Sequence, residues 1–201
     1  LLKAYKKTAK ITESLKDRVV GVVVGRDNYP PAERDLIAQF GDKRIIKICL
    51  YREKLDKKVD MLVNLISLGD FNTIKQKYGY DELYHLYLVL TLEDNTPILL
   101  EKNEVINIHQ YPNIKPSAEK FELSIPSTFN TNFKQFLDNT QNYMGSEYFT
   151  YDAFQNNCQK FIASCIKANP PLETENPQAM RFVLQEDRKS TRLNSSHVSE
   201  S

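Results

Sequence analysis

The sequence predicts an α+β fold in which an antiparallel β meander packs against helices. Three observations carry this. Residues 84–92 form a nearly continuous β-prone run, and the turn signal Glu93-Asp94-Asn95-Thr96 sends the chain back into a second apolar strand. Segments on both sides of this hairpin carry apolar residues at helical spacing. The chain order is mixed strand and helix, then meander, then two helices, which is the order of an α+β fold.

Each element has its own signal. Residues 1–18 are rich in Lys, Leu and Ala and read as a helix. Val19-Val20-Gly21-Val22-Val23-Val24 reads as a buried strand ended by Gly25. Tyr29-Pro30-Pro31 opens a helix with Leu36, Ile37 and Phe40 on one face and Gly41 as its stop. Residues 44–52 alternate around Ile46, Ile48 and Leu50 and read as a strand. Leu55, Val59, Leu62, Val63 and Ile66 recur at helical spacing up to Gly69. The meander then runs through 84–92, 97–101 and a third strand at 105–108. Residues 111–126 contain several prolines and read as a loop. Thr131 or Asn132 caps a helix carrying Phe133, Phe136, Leu137 and Thr140, which ends at Gly145. Asn156 or Asn157 caps the last helix, which runs to about Ala168 and is stopped by Asn169-Pro170-Pro171.

Composition bounds the function. The 201 residues are 41% hydrophobic and 26% charged, as in a globular domain. The 27 basic and 26 acidic side chains leave a net charge of +1, which argues for neither nucleic acid nor an anionic membrane as a partner. No apolar run reaches the roughly 20 residues of a membrane span. Three cysteines, an odd number in a chain of this length, argue against a disulfide framework and for a reducing, cytoplasmic setting. Leu1 in place of Met predicts a fragment. The final stretch through Asp187-Arg188-Lys189-Ser190-Thr191-Arg192 resembles a translated sequencing-adapter read-through, so residues 184–201 are expected to be an artefactual disordered tail. Neither CxxC nor HxxxH spacing occurs, and no phosphate loop or dinucleotide fingerprint is completed, so no metal or cofactor is expected.

The chemistry concentrates in Gln155-Asn156-Asn157-Cys158-Gln159-Lys160-Phe161-Ile162. A cap at Asn156 or Asn157 places Cys158 in the first helical turn. Unpaired backbone N–H groups and the helix dipole favour an anion there, and the thiolate is the nucleophilic form of cysteine. Phe161, Ile162, Cys165 and Ile166 define the buried face, so Cys158 borders that face and points toward the sheet. Cys165 and Cys49 read as small core hydrophobes. A thiol enzyme needs a base. His197 lies in the suspect tail. His109 precedes Gln110-Tyr111-Pro112, a surface turn, whereas His85 opens a long apolar strand that would hold its ring rigidly. His85 is therefore the favoured base. Glu101 or Asn103, at the end of the neighbouring strand, could orient it, and Glu101 is preferred because a carboxylate also stabilises an imidazolium.

Asn157-Cys158-Gln159-Lys160-Phe161 resembles the Asn-Cys-x-x-Phe signature of circularly permuted papain-like thiol proteins, the superfamily of the NlpC-type peptidases and of the lecithin-retinol-acyltransferase-like and PPPDE groups. In those proteins a strand-borne His precedes the Cys helix, as His85 precedes Cys158 here. Asp81-Glu82-Leu83-Tyr84-His85-Leu86, Glu101-Lys102-Asn103-Glu104-Val105-Ile106 and Asn156-Asn157-Cys158-Gln159 together are similar to uncharacterised proteins of large DNA viruses. The resemblance implies a papain-like catalytic core over residues 80–183, preceded by a 1–79 extension or by further parts of the same core. It implies a cysteine-dependent hydrolase or acyl-transfer enzyme acting on a peptide, isopeptide or lipid ester, in a host cytoplasm or virion. Glu101 departs from the second His that acyltransferase-like members often carry. Two other functions compete: a protein-binding module on the same scaffold, and a lipid-metabolising protein that contacts a membrane surface through residues 61–68.

Overall fold

The computed structural model describes residues 28–54, 84–151 and 156–185. The strand expected at 19–24, the helices expected at 1–18 and 55–69, and residues 186–201 of the tail expected at 184–201 lie outside the described residues, whereas Leu184 and Gln185 are described, with the Leu184 N–H bonded to the Met180 carbonyl at 2.8 Å.

The first element among the described residues, α1 (Pro31–Phe40), begins with proline where the missing N–H is harmless and ends at Gly41. Among the described residues five strands follow: β1 (Ile45–Lys54), β2 (Tyr84–Leu92), β3 (Pro97–Lys102), β4 (Ile106–Gln110) and β5 (Glu119–Leu123). They form one antiparallel sheet in the order β4-β3-β2-β1-β5. The expected meander is therefore present, and the fold is α+β. The β2–β3 turn has Asn95 at φ 64, a left-handed position that asparagine tolerates. β5 was not expected, because residues 111–126 read as a loop. It is a short strand, at the edge of the sheet among the described residues, whose partner, β1, lies far away in sequence, with Ile48 opposite Leu123 and Arg52 opposite Glu119.

The helices after the sheet are α2 (Phe133–Met144), a 3-10 turn (Gly145–Glu147), α3 (Cys158–Lys167), α4 (Pro170–Glu175) and α5 (Pro177–Val183). The prolines at 170 and 171 do end α3, but they also sit at the first positions of α4, and Pro177 opens α5 in the same way. Asn176, between the two short helices, grips Ser124 at the end of β5. It accepts the Ser124 N–H at 2.7 Å and donates to the Ser124 carbonyl at 2.9 Å.

Strand alternation sorts the sheet into two faces. Ile48, Leu50, Leu86, Leu88, Leu90, Ile98, Leu100 and Ile108 lie on one face and are fully or almost fully buried in a core shared with Phe133, Phe136, Phe161, Ile162, Cys165, Leu172 and Val183. Burying side chains of this kind contributes about 1.5–3 kcal/mol each. His85, Tyr87, Val89, Leu99 and Glu101 alternate onto the other face.

Arg52 is a charged member of the helix-covered face. Its guanidinium, 3% exposed, contacts Glu119 Oε2 at 2.6 and 2.8 Å, donates to the Phe182 carbonyl at 3.1 Å and stacks over the Phe182 ring at 4.0 Å. It thereby joins β1, β5 and α5.

Candidate active site

α3 begins at Cys158 because Asn157 caps it. The Asn157 side chain accepts the Lys160 N–H at 3.1 Å, which satisfies one of the orphan donors of the first turn. Of the two asparagines that could have capped, Asn157 is the one that does. Cys158 is the first helical residue and is partly buried against the core. The first turn is also tied outward by Lys160, whose Nζ lies 2.8 Å from each Glu147 carboxylate oxygen.

His85 is the second residue of β2. Tyr87, two residues on and therefore on the same face, pairs with Glu101 of β3. This register lets the Glu101 carboxylate reach back to the ring, with Nε2 to Oε2 at 2.7 Å. Both side chains are partly buried, 26% and 19% exposed. Burial pulls the His85 pKa down. Hydrogen bonds to the Cys158 thiol and the Glu101 carboxylate, and the charges of both, outweigh it and raise the pKa to about 10. These influences favour the charged ring over the neutral one.

The other candidates fall elsewhere. His109 lies within β4, opposite Leu99, and is exposed. Asn103 is exposed and caps its own turn, accepting the Val105 N–H at 3.2 Å. Cys165 is fully buried on the inner stripe of α3, and burial pushes its thiol up to about 12. Cys49 is buried in β1, its thiol also raised by burial, with Glu122 Oε2 3.8 Å away.

Beside His85, the Tyr87 ring is tilted at 6.0 Å and stacks on Tyr51 at 5.4 Å. The Tyr87 hydroxyl donates to Glu53 at 2.6 Å, and Glu53 also pairs with Lys115 at 2.8 Å. Sequence reasoning missed this row, although alternation in both strands would have put Tyr51, Glu53, His85 and Tyr87 on one face. It also missed Lys102 and the structural role of Asn156.

Comparison with protein-family models, with curated proteins and with solved structures finds no match.

Proposed function

We propose that the chain is a cysteine-dependent hydrolase or acyl-transfer enzyme acting on an amide, isopeptide or ester bond, built on a permuted papain-like core. One observation carries the reading: His85 is bonded through Nε2 to Glu101 at 2.7 Å, while the thiol of Cys158, the first residue of a capped helix, is the leading influence that raises its pKa. A nucleophile, a base and an orienting group are thus available to one another. The order of a His strand followed by a Cys helix, packed on an antiparallel sheet, supports the papain-like scaffold.

The chemistry follows from these three groups. With Nε2 on Glu101, Nδ1 is the ring nitrogen that exchanges a proton with Cys158. The thiolate attacks the carbonyl carbon, a C–S bond forms, and the carbonyl π electrons move onto oxygen. The Cys158 backbone N–H, at the positive end of α3, is one donor for that oxyanion. Collapse of the intermediate breaks the C–N or C–O bond as the imidazolium protonates the leaving group. The thioester is then resolved by water or another acceptor, whose proton returns to His85. Glu101 keeps the ring oriented throughout.

A p-nitrophenyl ester tests the reading without knowledge of the natural substrate. The expected result is a stoichiometric burst of nitrophenol with a thioester on the peptide holding Cys158, and loss of both in Cys158→Ser and in His85→Ala. Acylation confined to lysines and tyrosines would overturn it and leave the chain as a binding module.

A further inference from the structure

Lys102 ends β3 and is completely buried. Alternation puts it in line with Ile98 and Leu100, on the face covered by helices. Its Nζ donates to the Glu147 carbonyl at 2.9 Å, lies 3.5 Å from Asn156 Oδ1 and sits 5.7 Å from the centre of the Phe161 ring. Both oxygen acceptors are neutral. The Glu147 carboxylate is engaged by Lys160, and among the described residues no carboxylate pairs with Lys102. Burial lowers the Lys102 pKa to about 8. A methionine would fill the same row without desolvating a charge, so the amine is an expensive choice on packing grounds alone.

Its partners indicate what the amine does. Asn156 donates through Nδ2 to the Glu147 carbonyl at 2.7 Å, to the Thr150 carbonyl at 2.7 Å and to Thr150 Oγ1 at 3.0 Å. The Glu147 carbonyl therefore receives one donor from β3, one from the residue that precedes the Asn157 cap and a longer one from the Thr150 hydroxyl at 3.4 Å. Glu101 and Lys102 are consecutive and face opposite sides of β3. The first holds His85, and the second holds the approach to Cys158.

We propose that Lys102 is a positioning residue: it clamps the turn at Glu147 and Asn156 to β3, fixing the first turn of α3 and the Cys158 thiol against His85. The proposal rests on the thiol-site reading of Cys158 and adds a residue that acts on the site without touching the reacting atoms.

Iodoacetamide labelling of the full chain, followed at each cysteine by peptide mass spectrometry across neutral pH, tests it in wild type, Lys102→Met and Thr150→Val. The methionine keeps the unbranched shape and removes the donor. Cys158 should label roughly 10-fold more slowly at neutral pH in Lys102→Met, as expected for a misplaced reacting pair, with its pH profile moved upward. Cys49 should keep its wild-type rate, and Cys165, fully buried near Lys102, should stay unreactive. Thr150→Val removes the hydroxyl that accepts from Asn156 at 3.0 Å and donates to the Glu147 carbonyl at 3.4 Å, and leaves Lys102 in place; it should move Cys158 in the same direction by a smaller factor, which decides the matter if Lys102→Met fails to fold. An unchanged Cys158 profile overturns the proposal, as does a Lys102→Met variant in which the slowing of Cys158 comes with a newly reactive Cys165, since that marks a general loosening of the core. If wild-type Cys158 labels no faster than Cys49, the thiol-site reading itself fails, and the role of Lys102 falls with it.

Discussion

His85 is subject to opposing influences. Burial favours the neutral ring, while the Cys158 and Glu101 contacts favour the charged one, and the second influence prevails, with a pKa of about 10. An NMR titration of the His85 ring should accordingly show a midpoint near 10, and Glu101→Gln should lower it toward the ordinary 6.5. A midpoint unmoved by Glu101→Gln would remove the carboxylate from the account. The stability consequence has a definite sign. The folded pKa lies above the unfolded one, so the folded state binds more protons between about pH 6.5 and about 10. The contribution is fully present below that window and is lost as pH rises through about 10. The gap in denaturation midpoint between wild type and Glu101→Gln should therefore close as pH climbs. The identities of His85, Glu101 and Cys158 as candidates were legible from residue type and order alone. Lys102 was not, although a lysine in line with Ile98 and Leu100 was the signal available.

The two capped helices, α2 and α3, provide an internal comparison at the scale of elements. Asn132 accepts the Gln135 N–H at 2.7 Å and Asn157 accepts the Lys160 N–H at 3.1 Å, but only the second cap borders a cysteine. Replacing either asparagine by alanine should cost about 1 kcal/mol of stability. Only Asn157→Ala should also slow alkylation of Cys158, because it loosens the turn that carries the thiol; equal slowing in both variants would make the effect one of general stability. The helices and the meander were legible because their periodicity is strong and local. β5 was not, because three of the five residues in Glu-Lys-Phe-Glu-Leu are charged and its strand state comes from pairing with β1. The short helices α4 and α5 were hidden behind prolines that stop one helix and start the next.

Across the whole molecule, the sheet brings together segments that the sequence keeps apart. β1 sits between β2 and β5, so residues 45–54 belong to the same sheet as the His85 strand. α3 packs against β2 and β3, with its first turn at the end where β2 starts and β3 stops. The register placing Tyr87 opposite Glu101 carries the carboxylate to the ring, and no local pattern could have fixed it. The central claim is that this assembly makes one of three cysteines reactive. The most direct test is the rate of iodoacetamide alkylation at each cysteine at neutral pH, in wild type and in His85→Ala. The account predicts that Cys158 reacts about 10-fold or more faster than the buried Cys49 and Cys165, and that His85→Ala removes most of this advantage. Equal rates at the three cysteines, or a Cys158 rate indifferent to His85, would contradict it.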